Sequence, residues 1–323
     1  MKRTTVAAVL IPLLLCLAGP GMAQDKWPSK VVRIVVPFPP GASTDQLARQ
    51  VGRDLADRIG QPVVIENRPG ASGTVGSEYV SKQPADGHTL LLATASSLAV
   101  ASSVLVLRYD PLKDFTPLTL IATMPAVLAV RSTLPVTSLQ DLVRLAKREP
   151  GKLTFASNGQ GAYNHLGMEL LTSAAGISIR HVPYKGGGPA LSDLLGGHVD
   201  MLLDVVMTMQ PHIKSGKLRG IATAARERSA LVPEVPTAAE AGVPKFEVTS
   251  WFGLLAPPNL PAGISTQLST ELNQTLRAQK MEDYLREQGM DRKASSPAEF
   301  AQWIRDEIVK WKAADDAAGI KPE

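Results

Sequence analysis

The feature that most constrains this chain is a repeated order of elements: apolar strand, glycine-bearing turn, amphipathic helix, apolar strand. Val31 to Val36 is an almost unbroken apolar run. Such a run reads as a strand buried on both faces, hence parallel and central. Pro37-Phe38-Pro39-Pro40-Gly41 is a turn cluster. Beyond it Leu47, Val51, Leu55 and Ile59 recur every four residues, and Gly60 sits where a helix C-cap belongs. Ser43 and Gln46 have capping-box spacing. Val63-Val64-Ile65 and Leu90 to Ala93 predict two more strands. Strand, helix and strand in alternation mean βαβ units and an α/β fold.

The order recurs downstream. Lys152 to Ala156 predicts a strand, Gly159-Gln160-Gly161 a loop, and Leu166, Leu170 and Leu171 a helical face. Ile179 to Val182, Val199 to Leu203 and Arg219 to Thr223 read as further strands, with a short helix at Pro189 to Leu195 ended by Gly196-Gly197. Trp251 to Ala256 reads as a late strand. Ile264 to Leu276 and Phe300 to Trp311 read as amphipathic helices. That tail has no sheet of its own and is expected to return to the first unit, so the chain crosses between units twice. The expected division is 24–125 plus 248–323 for one lobe and 126–247 for the other. Two crossovers are what a hinged, two-lobe protein needs.

The first residues read as an address. Lys2 and Arg3 precede an uncharged apolar core from Val6 to Leu17, and Gly21-Met22-Ala23 offers small residues for cleavage after Ala23. The apolar core is too short to span a bilayer, so residues 1–23 read as a secretory signal. Its removal takes away the only Cys, Cys16, and lowers the formal net charge from +4 to +2. The expected product is an exported, cysteine-free protein with no disulfide or Cys-based metal chemistry. Nearly balanced charge and 5% aromatic residues point away from nucleic acid as a partner.

Three loops could do chemistry. Phe38 to Asp45 lies between a buried parallel strand and a helix N-terminus, where free N–H groups and the helix dipole favour an anion. An ordinary βα turn with a capping serine explains the same residues. Ser157 to His165 also joins strand to helix. Asn164 replaces the third Gly of a dinucleotide fingerprint, and no acidic residue ends the Ile179 to Val182 strand. A small anion nest fits that loop better. Tyr184-Lys185-Gly186-Gly187-Gly188-Pro189 gives a third exposed helix start, or merely a tight turn.

Asp204 ends the Val199 to Leu203 strand, where it could face a cleft or cap the next segment. His165 and Glu169 sit one helical turn apart, which suits an ion pair better than zinc. No nucleophile elbow, zincin motif or P-loop is present. Binding is therefore favoured over catalysis, with no metal and no cofactor expected.

At the level of motifs the chain resembles the Bug family, the TctC-like periplasmic receptors of tripartite tricarboxylate transporters. The resemblance is carried by Val35-Val36-Pro37-Phe38-Pro39-Pro40-Gly41 with Asp45 and by Val64-Ile65-Glu66-Asn67-Arg68-Pro69-Gly70-Ala71. Asp86-Gly87-His88-Thr89-Leu90-Leu91, His181-Val182-Pro183-Tyr184-Lys185-Gly186 and Asp193 to Asp200 extend it. It implies a type II periplasmic-binding-protein fold, with two α/β lobes joined by a hinge with two crossovers. It also implies a small organic acid as ligand and membrane permease subunits as partners; a monomer is the default expectation for the oligomeric state.

Carried over residue by residue, the implied ligand-binding set is Phe38, Pro40, Gly41, Ala42, Ser43 and Asp45 from the first loop. Thr94 and Ser97 follow the third strand. Ser157, Gly159, Gly161, His165 and Asp204 form the facing wall. One departure stands out: Leu98, Ala101 and Ser102 replace a His, an Asn and a Pro found in many relatives, which predicts a more apolar pocket on that side. A periplasmic sensor for a signalling partner would use the same cleft, and a secreted hydrolase is the remaining reading.

Overall fold

The computed structural model describes residues 27–41, 43–184 and 186–318. Residues 1–23, read from the sequence as a secretory signal, and Ala42 and Lys185 lie outside them. β1 (Val32–Val36) leads into α1 (Ser43–Ile59) and β2 (Val63–Asn67). A 3₁₀ turn at Ala71–Gly73 opens α2 (Thr74–Ser81), followed by β3 (Thr89–Thr94). A π turn at Ser96–Val100 runs into α3 (Ala101–Val104). β4 (Thr116–Arg131) and α4 (Leu139–Arg148) follow. Next come β5 (Thr154–Ser157), α5 (Tyr163–Ala175), β6 (Arg180–Pro183) and α6 (Gly187–Gly196). β7 (Met201–Val205), α7 (Val206–Lys214) and β8 (Leu218–Thr223) complete that stretch. The tail holds β9 (Thr249–Ala256), α8 (Ala262–Arg277), α9 (Gln279–Glu287), β10 (Asp291–Arg292) and α10 (Pro297–Ala318).

The strands run β2-β1-β3-β9-β4-β7-β5-β6, with β8 and β10 also on β4. β1 pairs in parallel with β2 and β3, and β5 in parallel with β6 and β7. β4 joins these two parallel groups. Thr116 to Pro125 pairs with β9, and Ala126 to Val130 pairs with β7. Pro125 has no N–H to give a ladder, and it falls where β4 changes partners, so no hydrogen bond is lost mid-sheet.

β4 escaped the sequence reading because Pro117 and Pro125 interrupt it, and proline argues against a central strand. The strands that were read recur within two residues of their expected ends. β1 starts at Val32, the first residue paired with β2, and Val31 before it is 45% exposed. In the tail, β9 lies between β3 and β4, and α8 packs on α1 and β4. α10 goes further than expected, lying against α5 as well as β4 and the 96–104 segment.

α10 is anchored by burial. Phe300 and Ile304 are buried on one face, as their spacing predicts. Phe300 packs on Gly253 so closely that a Cβ there would lie 2.1 Å from its ring. The indoles of Trp251 and Trp311 both donate to Glu307 Oε2, each at 3.0 Å. This keeps a buried carboxylate satisfied, which such a group requires. No described helix is long and apolar enough to cross a membrane.

Candidate functional site

Two parallel groups of strands point their carboxyl ends toward one another, so the strand-to-helix loops meet across a gap. The gap is a cavity of about 610 Å³. The helix starts are what distinguish it. Ser43, Thr44 and Gln46 present the first turn of α1, and Ala162 and Tyr163 the start of α5. Gly186 to Gly188 bring in α6, and Val205, Met207 and Thr208 bring in α7. Each helix N-terminus carries roughly half a positive charge and unpaired N–H groups. Among the described lining residues there is no Lys or Arg, and Asp204 is the one carboxylate. Phe38, Phe252, Val205 and Met207 supply the apolar wall, and Thr94, Ser96 and Ser250 supply hydroxyls.

The first loop is held rigid from behind. Gly41 takes φ +87°, a conformation that suits glycine, and nothing lies within 4 Å of where its Cβ would be. Its N–H donates to Asp45 Oδ2 at 2.9 Å, and its carbonyl accepts from Gln46 Nε2 at 3.1 Å. Ser43 is the first helical residue, so these two side chains reach back to Gly41 in place of the expected Ser43–Gln46 box. Asp45 also accepts from Arg49 Nε at 2.9 Å and from Asn67 Nδ2 at 2.9 Å. Asn67 donates onward to the Phe38 carbonyl at 3.1 Å, tying the end of β2 to the loop. Burial opposes ionisation of Asp45, but Arg49, the Gly41 N–H and Asn67 outweigh it and hold the carboxyl at about 2.

The facing loop has its own brace. Ser157 Oγ donates to the Gly159 carbonyl at 2.9 Å and lies 2.6 Å from His181 Nε2. The Gly161 N–H donates to His165 Nδ1 at 3.2 Å, and Asn164 Oδ1 accepts from the Asn158 N–H at 3.0 Å. His165 and His181 stack with centroids 3.8 Å apart, and Phe155 lies 4.8 Å from His181. Burial pushes both imidazoles down to about 4, and the facing His165 adds to the effect on His181. The Ser157–His181 contact has the spacing of a nucleophile and base. Yet Ser157 is fully buried and does not line the cavity, so the contact braces a loop.

Asp204 Oδ1 accepts the Tyr163 hydroxyl at 2.7 Å and the Val205 N–H at 2.7 Å. Asp204 lines the cavity, as one of the two sequence readings expected; the other, a cap on α7, is not realised, since the N-cap of that helix is Val205 and has no side-chain cap. Burial raises the Asp204 carboxyl, partly offset by Tyr163, Val205 and Asn158. Burial together with the Asp204 charge pushes the Tyr163 hydroxyl well above its ordinary range.

Of the residues expected at the site, Phe38, Gly41, Ser43, Thr94 and Asp204 line the cavity. Asp45, Ser157, Gly161 and His165 stand one layer behind, bracing the loops. Gly159 belongs to the same brace, and Pro40 is exposed beside Gly41. Ser97 is buried and locked to Thr94, whose N–H donates to Ser97 Oγ at 3.0 Å. Leu98 is buried in the core. Residues missed include Asn158, Tyr163, Met207, Thr208, Ser250 and Phe252. Tyr163 was foreshadowed, since it directly follows the glycine loop. α7 was foreshadowed by an acidic residue at a strand end. Ser250 and Phe252 carried no local signal. Among the described residues, no three or more His, Cys, Asp or Glu side chains gather to hold a metal ion.

The chain is also similar to known proteins along its length. The chain is 37% identical to protein BugT of Bordetella pertussis over 325 residues, covering 99% of each. It superposes on the solved Rpa4515 protein of R. palustris with adipate at TM-score 0.82, 37% identity, covering 92% of this chain and 100% of that one. It superposes on MatC of Rhodopseudomonas palustris with bound malate at TM-score 0.79 and 34% identity, covering 89% and 99%. Residues 47–320 match the profile of the tripartite tricarboxylate transporter family receptor. The chain belongs to that receptor family and shares its mixed α/β periplasmic-binding-protein fold.

Proposed function

We propose that this chain is a periplasmic receptor that captures a small organic carboxylate in the cavity and hands it to the membrane permease subunits of a tripartite tricarboxylate-type transporter. Four helix N-termini facing one cavity without a Lys or Arg among its described lining residues carry the reading. Neutral amides hold an anion well and leave no buried fixed countercharge to be stranded on release. Adipate and malate in the two solved relatives support the choice of ligand class. The lobes are 24–125 plus 248–323 and 126–247, and they close on the ligand about the strands that cross between them. Residues 1–23 direct export, with cleavage after Ala23, and the mature receptor acts as a monomer. Ordered waters bridge part of the contact, which costs little when they are well placed.

The test is a pair of variants. Gly41 and Gly60 both have positive φ and open space at Cβ, but only Gly41 lines the cavity. Gly41→Val and Gly60→Val should lose similar stability, about 1–2 kcal/mol each, from backbone strain. Gly41→Val alone should lower carboxylate affinity at least tenfold by calorimetry. Equal affinities in the two variants would remove the first loop from the site.

A further inference from the structure

The cavity is not symmetric in its chemistry. On the α1 side it offers amide donors. On the opposite side two acceptor oxygens converge at the start of α6. A Cβ built on Gly187 would lie 3.3 Å from Asn158 Oδ1 and 3.4 Å from Asp204 Oδ2. Asn158 Oδ1 is buried and has no hydrogen-bond partner among the described residues. Asn158 also acts on the neighbouring Asp204 carboxyl, partly offsetting the rise caused by burial. Tyr163 and Val205 both donate to Asp204 Oδ1, which leaves Oδ2 turned toward Gly187 and Asn158. A buried acceptor without a donor is costly, and one placed in a ligand cavity is answered by the ligand.

We infer that the solute carries a nitrogen donor, an ammonium or amide N–H, at the end away from α1, and that Asn158 Oδ1 and Asp204 Oδ2 receive it. This rests on the carboxylate-receptor reading and narrows it to monocarboxylates with a distal amine or amide. A second carboxylate at that end meets the Asp204 charge at close range in a partly buried site, which lowers affinity more than tenfold. A distal methyl group leaves Asn158 Oδ1 unanswered and falls between the two. Gly187 is what keeps the space open, since any side chain there crowds both oxygens.

The experiment is a thermal-shift screen followed by calorimetry at pH 7.5, using matched sets of four to six carbons. The six-carbon set is adipate, adipamate, 6-aminohexanoate and hexanoate. The amide or ammonium member should bind at least tenfold more tightly than the diacid of equal length. Asp204→Asn should shrink that preference for the ammonium ligand at least tenfold. Gly187→Ala, which leaves the Asp204 pairings in place, should weaken the amide and ammonium ligands more than the methyl-ended acid. Diacids binding as tightly as their amine or amide partners in the unaltered protein would overturn the inference and leave the receptor reading standing. No response to any acid of any set would overturn both.

Discussion

Replacing Asp45 by alanine is expected to cost about 2–4 kcal/mol of stability and to lower carboxylate affinity at least tenfold. The side chain is not part of the cavity lining. It accepts from the Gly41 N–H, twice from Arg49 and once from Asn67, all within 3.0 Å, and its carboxylate is only 4% exposed. Removing it strands the Gly41 amide and the Asn67 side chain, each a partly buried donor. Arg49 is about half exposed, so its loss of a partner contributes little. The affinity falls because the loop amides must then be ordered by the ligand itself. Asp45→Asn keeps the shape and an acceptor for Gly41, so it should fall between wild type and alanine. Urea unfolding and calorimetry measure both effects. An alanine variant with unchanged stability and unchanged affinity would show that the loop is rigid without this knot.

The second large effect is a loss of stability in mild acid, set by the stacked imidazoles. His165 and His181 are held at about 4, against 6.5 when free, because burial disfavours their charged forms. A depressed imidazole leaves the unfolded chain binding protons first. The stability is therefore complete above pH 6.5 and is lost as pH falls toward 4. Protonation at His165 Nδ1 also removes the acceptor of the Gly161 N–H, which loosens the facing loop. Glu169, 3.9 Å from His165, and Asp204 are both raised by burial, and their protonation works in the opposite direction.

A comparison of variants separates the two directions. Between pH 7 and 4.5 the wild type should lose about 2 kcal/mol more than His181→Gln, or roughly 4 °C more in Tm. The knot at Asp45 titrates in a different window, between 3.8 and about 2, so it does not interfere. Identical pH slopes for the two proteins would refute the role of the imidazole pair.

Much of the architecture was legible because hydrophobic periodicity reports burial. Val32 to Val36 is buried on both faces and reads as a central parallel strand. Leu47, Val51 and Leu55 are buried every fourth residue along α1. What was hidden came from long-range geometry. β4 spans sixteen residues and joins both halves of the sheet, but its two prolines mask it. The cavity wall shows the same division. Phe38, Gly41, Ser43 and Asp204 sit at strand ends, where an α/β sheet places ligands, so their positions could be anticipated. Asp45 and His165 share those loops but point away from the cavity and brace it, a distinction that side-chain direction decides and spacing does not. Phe252 lines the cavity only because β9 is inserted between β3 and β4, which nothing near Phe252 in sequence announces.

The central claim is that main-chain amides at helix N-termini, rather than basic side chains, hold the negative charge of the solute. Calorimetry of the acid giving the largest thermal shift, beside its methyl ester, tests this most directly. The acid should bind and raise the melting temperature, as a ligand of the folded state must, while the ester loses at least a hundredfold in affinity. An ester that binds as tightly as its acid would contradict the account.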